Sequence, residues 1–292
     1  MKIINFMGPR KIWFGISLSL LAIGLVFLII NGGLNLGMDF TGGSSIHATI
    51  GRTFEVSEIR EIMDKYDPDA TITHAGQNKD QVIVRTKISF DNEKRAEITQ
   101  AFIEKYKIES TNISFETIGP TVGKELAMQS LIAILLAFAG IMVYVSFRFE
   151  WRFGLASLTA LVHDTAMMIA TYAVFQIPVN GTFIAALLTI IGYSINDTIV
   201  IFDKIRENLK SERSRKIDYD NLVNVSVTQT LARSINTSLT TLITIFALYF
   251  LGVPAIKEFA FPMIIGVVSG CYSTIFIASP LWVMLRHKFK VS

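Results

Sequence analysis

TFIAALLTIIGYSINDTIVIF, residues 182–202, is the stretch on which the fold turns. A bilayer core of about 30 Å is crossed by about 20 mostly apolar residues at 1.5 Å each, and this run is long enough. Its one charged residue is Asp197. A carboxylate at mid-membrane costs about 2.5–3.5 kcal/mol on insertion scales, so the same segment that defines a spanning helix also carries a group that needs a reason to be there.

Outward from this run, five more segments share its character. Residues 12–30, 126–147, 234–256 and 259–285 carry no charge, and residues 153–175 carry only His163 and Asp164. Of the 292 residues 51% are hydrophobic and 17% charged, against roughly 25% charged in an average soluble domain. Six spanning helices are therefore expected. The first run follows Lys2, Arg10 and Lys11, exceeds a signal-peptide core and is followed by Asn31-Gly32-Gly33 rather than a small-residue cleavage site, so it reads as a retained anchor.

Orientation follows from the loops. Lys and Arg crowd the N-terminus (Lys2, Arg10, Lys11), the second-to-third loop (Arg148, Arg152), the fourth-to-fifth segment (Lys204, Arg206, Lys210, Arg213, Arg215, Lys216, Arg233) and the C-terminal tail (Arg286, Lys288, Lys290). The alternate loops hold only Lys257. The positive-inside rule then places both termini in the cytoplasm and the long polar segment after the first span outside. The run from Lys204 to Lys216 reads as a solvated loop obeying that rule, with anionic lipid or a partner as the lesser reading.

That polar segment alternates between periods of two and 3.6. Strands are expected at 45–50, 70–74, 81–88 and 112–118, with amphipathic helices at 56–66 and 91–106 and a turn at Asn78-Lys79-Asp80. The order β-α-β-β-α-β is the ferredoxin-like pattern. The organisation expected is thus 1–33, tail and first helix; 34–124, extracytoplasmic α+β domain; 125–292, five-helix bundle. The fold class is an α-helical membrane protein with one ferredoxin-like domain between its first and second helices. No P-loop or metal spacing occurs in the domain; His47 and His74 read as ordinary strand or surface residues, and the lone Cys271 as packing. No cofactor, metal, nucleic acid or enzymatic activity is expected.

The chemistry is sought where the bilayer makes polarity costly. Asp164 lies about 11 residues into the third span, roughly 17 Å deep. Asp197 lies about 15 residues into the fourth from outside, roughly 22 Å deep, and Arg233, counted back from Leu251, roughly 27 Å. Ser194, Asp197 and Thr198, at i, i+3, i+4, share a helix face; His163, Asn196 and Thr237 add polar groups nearby. An Asp197–Arg233 ion pair is geometrically possible. Burial favours the protonated acid and a neighbouring arginine the ionised one, so making and breaking such a pair couples protonation to helix movement, and Asp197, Arg233 and Asp164 are read as the proton-relay residues. One charge crossing 100 mV supplies about 2.3 kcal/mol. The competing reading is that these groups only glue helices together, with Arg233 snorkelling to the interface and His163 satisfying Asp164.

Five motifs add a resemblance. Gly37-Met38-Asp39-Phe40-Thr41-Gly42-Gly43 follows the first span, and Gly119-Pro120-Thr121-Val122-Gly123-Lys124-Glu125-Leu126 leads into the second. Val162-His163-Asp164-Thr165 lies in the third, Gly192-Tyr193-Ser194-Ile195-Asn196-Asp197-Thr198 and its continuation to Asn208 in the fourth, and Arg233-Ser234-Ile235-Asn236-Thr237-Ser238-Leu239-Thr240-Thr241 at the fifth. Together they resemble the SecD/SecF family of bacterial protein export, within the resistance–nodulation–division superfamily. The resemblance implies a heterodimer with a SecD-like subunit in the cytoplasmic membrane, association with the SecYEG channel, a translocating polypeptide as cargo, and proton motive force as the energy source. It also implies that Asp197 and Arg233 belong to the proton pathway. The glycines of the Gly37–Gly43 motif suit a tight exit from the membrane, and the motif reads as structural through Phe40, Gly42 and Gly43, with Asp39 a candidate for a contact linking domain motion to the bundle. The rivals are a proton-coupled small-molecule exporter of the same superfamily, a passive translocon assembly factor, and an intramembrane protease using Ser194 and His163; the last lacks Gly-x-Ser-Gly and His-Glu-x-x-His.

Overall fold

The computed structural model describes residues 3–76, 78–212 and 217–289. Lys2, Arg213, Arg215, Lys216 and Lys290, which entered the orientation reading, lie outside them.

The chain opens with α1 (Arg10–Ile30), followed by the one-turn α2 (Met38–Thr41) and then a small mixed domain: β1 (Gly43–Thr49), α3 (Val56–Met63), β2 (Thr71–Ala75), β3 (Gln81–Thr86), α4 (Asn92–Tyr106) and β4 (Ile113–Ile118). The strands form one sheet in the order β2-β3-β1-β4, every neighbouring pair antiparallel, which is the ferredoxin-like topology. Register puts Ile46 opposite Val84 and Phe115, and Ala48 opposite Val82 and Ile113. Strand alternation therefore aims Ile46, Ala48, Val82 and Val84 at Ile59, Met63, Ile98 and Phe102, and these form a core separate from that of the bundle. Asp91 caps α4 by accepting from the Lys94 amide.

The exit from the membrane into β1 turns at Gly43, whose φ is +147°. A Cβ there would sit 2.1 Å from the Thr86 carbonyl oxygen on the paired strand. Gly43→Ala is expected to destabilise the sheet by about 2–3 kcal/mol, the upper range for a strained backbone position, and to make the domain protease-sensitive at temperatures where the parent resists. Gly123 serves a close approach instead: a Cβ on it would lie 2.7 Å from the Phe40 carbonyl oxygen, where α2 crosses the next helix.

Five long helical segments follow: α5 (Pro120–Arg148), α6 (Trp151–Phe175), α7 (Gly181–Ser211), α8 (Tyr219–Leu251) and a last span made of α9 (Pro254–Ser273), a π-turn (Thr274–Ala278) and α10 (Ser279–Lys288). With α1 they give, among the described residues, six helices long and apolar enough to cross a membrane. The protein is a multi-pass membrane protein. α7 and α8 outrun their apolar stretches because a helix that leaves lipid can continue through water; their extensions are tied together where Asn208 donates to Ser226 and Gln229. α6, α7 and the last span form the interior, with Met168, Leu187, Val267 and Trp282 buried. α1 and α5 turn Leu18, Ile29, Leu136 and Phe147 outward, where lipid solvates them.

Candidate functional site

The two membrane aspartates stand in opposite environments. Asp164 on α6 is 2% exposed, and both its oxygens are occupied. Oδ1 accepts from Ser269 Oγ at 2.7 Å and faces His163 Nδ1 at 3.2 Å; Oδ2 accepts from Ser194 Oγ at 2.7 Å and Ser273 Oγ at 2.8 Å. One carboxylate thus ties α6 to α7 and α9. His163 continues the network through Nε2 to Ser17 of α1, 3.1 Å away, and Ser17 donates to Tyr272. His163 and Ser194 bind Asp164 rather than each other.

Asp197 on α7 is buried, but only half satisfied. Oδ1 accepts from Ser234 Oγ of α8 at 2.7 Å, while Oδ2 has no hydrogen-bond partner among the described residues. The direct Asp197–Arg233 ion pair is not formed: the carboxylate takes the hydroxyl next door, and Arg233 points to the exposed side of α8 with no ion-pair partner among the described residues. Arg233 directly precedes Ser234, the residue that bonds Asp197, so its charge stays in the neighbourhood of the acid. The physical reason is helical phase, since adjacent residues 233 and 234 project about 100° apart and only one can face α7.

Ser194 and Thr198 lie buried on the α7 stripe that meets α6 and α9, Thr198 sharing a 2.9 Å hydroxyl contact with Thr274 of the π-turn. Asn196 and Thr237 are exposed and do not reach Asp197. They belong to a polar band running along α7 and α8: Gly192, Asn196, Arg233, Asn236, Thr237, Thr240, Thr241 and Thr244 are exposed or nearly so at membrane depth. Thr240, Thr241 and Thr244 return their hydroxyls to carbonyls four residues back, and Thr241 Oγ1 also accepts from Tyr193 Oη of α7 at 3.1 Å.

The Gly37–Gly43 motif sits at the N-terminal end of α7. Gly37 N donates to the Val179 carbonyl at 2.7 Å, Asp39 Oδ2 accepts from Gly181 N at 2.7 Å, Phe40 is buried in the bundle core, and Gly42 N closes α2 on Met38. Four residues at the sites escaped the sequence reading: Ser17, Ser234, Ser269 and Ser273. Ser269 and Ser273 carried a usable signal, an i, i+4 polar pair within an apolar run. Ser17 carried none, because serines in a spanning helix are commonplace, and Ser234 stood inside the quoted fifth-span motif with no role assigned to it.

Residues 98–288 match the family model described as protein export membrane protein SecD/SecF, C-terminal. The chain is 36% identical over 274 residues to the protein translocase subunit SecF of Haemophilus influenzae, spanning 94% of this chain and 83% of that one. The chain belongs to the SecD/SecF family. It is also 38% identical over 295 residues to the SecDF of Thermus thermophilus, covering 98% of this chain but 39% of that longer one. The crystal structure of that SecDF, described as a translocon-associated membrane protein, superposes with a TM-score of 0.84 at 37% identity, again over 98% of this chain and 39% of the other. The chain therefore spans well under half of the SecDF relatives and most of the SecF relative, which puts it on the SecF side of the family.

Proposed function

We propose that this chain is the SecF-type half of a proton-driven accessory motor for Sec protein export, working with a separate SecD-like subunit in the bacterial cytoplasmic membrane. One observation carries the reading. A buried carboxylate with one oxygen unpartnered among the described residues, Asp197, lies beside a band of exposed polar residues on α7 and α8 that includes a guanidinium. Hydrocarbon offers the deeper Asn236, Thr237 and Thr244 no polar contact, so the band calls for another polar protein surface. The fused SecDF relatives, which extend far beyond the part matched here, support a SecD-like polypeptide as that surface.

In this reading a proton entering from the outer side forms an O–H bond at Asp197 Oδ2. The neutral acid loses its attraction for the Arg233 charge, α7 and α8 shift, and the proton leaves to the cytoplasm as the carboxylate is restored. Asp164, held by four groups, serves as an anchor that keeps α6, α7 and α9 in register rather than as a carrier. Both termini are placed in the cytoplasm and the α+β domain outside, on the strength of the basic loops. SecYEG, the translocating chain and membrane lipid complete the set of contacts.

The pairing is tested by affinity purification. The tagged chain is expected to bring down a SecD-like subunit, and Thr237→Trp with Thr244→Trp, which put bulk on the polar band, to reduce that recovery by about tenfold, the effect of losing about 1.4 kcal/mol of binding. Leu135→Trp on α5 is the matched control. Equal recovery from all three would reject the band as the interface.

A further inference from the structure

The outer end of α7 is gripped by the α+β domain through contacts that the proton chemistry does not need. Asp39 of α2 accepts from the Gly181 amide at the first turn of α7, 2.7 Å away, a favourable place for a carboxylate. Asn180, which caps α7 by accepting from Phe183 N at 3.0 Å, donates to Glu258 Oε2 at 3.0 Å. Glu258, near the start of α9, pairs through its other oxygen with Arg85 of β3. Backbone bonds reinforce the grip: Leu36 and Val179 form a parallel bridge, with Gly37 N and Val179 N donating to Val179 O and Asn35 O. A cavity of about 480 Å³ opens beside these contacts, lined by Asp39, Arg85, Asn180 and Glu258 among others.

Sixteen residues along the same helix from Gly181 lies Asp197, roughly 24 Å away at 1.5 Å per residue. A helix transmits displacement along its axis with little loss, since its hydrogen bonds run parallel to it. The sheet is thus fastened to the far end of the rod that carries the reactive acid. We propose that Asp39 and Glu258 are positioning residues that make the α+β domain and the outer end of α7 one moving body, so that a shift of α7 begun at Asp197 is delivered to the domain. The proposal rests on the proton-motor reading above and assigns the path by which that motor does work outside the membrane.

The test uses the full chain assembled with its SecD-like subunit, in a Cys271→Ala background to remove the free thiol. Nitroxides on the exposed Ser114 of β4 and Thr159 of α6 report the distance between domain and bundle. In the parent that distance changes between the two pH states of the motor; in Asp39→Ala it changes by less than half as much. Proton-stimulated export of a secretory precursor in the Asp39→Ala variant falls by about tenfold, which is what a lost hydrogen bond to a charged group carries, while recovery of the complex is unchanged. Glu258→Gln shows the same pattern more weakly. A disulfide between Leu36→Cys and Val179→Cys, partners close enough for one, leaves export intact, because this joint works without opening. Three results overturn the proposal: a parent distance that ignores pH, full distance change and export in Asp39→Ala, or export blocked by the disulfide and restored by reductant. If Asp197→Asn abolishes proton-stimulated export and Asp39→Ala does not, the linkage fails alone; if Asp197→Asn also leaves export unchanged, the motor reading fails with it.

Discussion

Asp197→Asn is expected to leave an assembled complex that gains nothing from the proton gradient. The amide keeps an oxygen to accept from Ser234, the one bond Asp197 makes at 2.7 Å. Its NH2 replaces the oxygen that has no partner, and a neutral group avoids the cost of burying a charge. Stability should therefore change by about 1 kcal/mol or less, or rise. Function should not survive, because an amide takes up no proton in this range and cannot alternate between charged and neutral. Export of a secretory precursor into inverted membrane vesicles, with and without a proton gradient, reads the result: the gradient's contribution disappears while the gradient-independent rate persists. Unchanged stimulation would favour a passive assembly role.

Asp164→Ala is expected to do the reverse, damaging the fold before the mechanism. The substitution removes the acceptor for Ser194, Ser269 and Ser273 and the partner of His163 in one step. Each buried polar group left unpaired costs about 1–3 kcal/mol, though the serines recover part of this by turning to their own helix carbonyls, as Ser273 already does with Gly270 at 3.3 Å. A net loss of about 3–5 kcal/mol is expected, in line with breaking other buried charged pairs. Thermal unfolding in detergent should show it, with Asp164→Asn intermediate because one carbonyl oxygen is kept. A variant as stable as the parent would contradict the anchoring role and return Asp164 to consideration as a carrier.

The two aspartates show where the sequence speaks and where it is silent. The six spans were legible because apolar runs of membrane length have few other uses. The β-α-β-β-α-β order was legible because residues such as Ile46 and Ala48 alternate while Ile59, Ile62 and Met63 follow the helical period. Helix ends were less so: α7 runs on past its apolar stretch to Ser211, since hydropathy marks the edge of lipid and not the edge of a helix, whereas Val223, Val225, Val227 and Leu231 already pointed to a start of α8 near Val223, four residues after its first residue Tyr219. In the sequence Asp164 stood beside His163, which offered it a partner, and Asp197 stood among Ser194, Asn196 and Thr198. What separates them is the hydroxyls of Ser269 and Ser273, some hundred residues away, which no local pattern connects to Asp164. At the junction Asp39 was named from its motif, while Arg85 and Glu258 were hidden for the same reason, lying in distant parts of the chain.

The account stands on Asp197 being the group that gains and loses the proton. Infrared difference spectroscopy of the reconstituted complex through a pH titration tests this directly, since a protonated carboxylic acid has its own carbonyl band. The account predicts a titrating carbonyl band that is present in the parent, retained in Asp164→Asn and absent in Asp197→Asn. A band that persists in Asp197→Asn, or one lost only in Asp164→Asn, would contradict it.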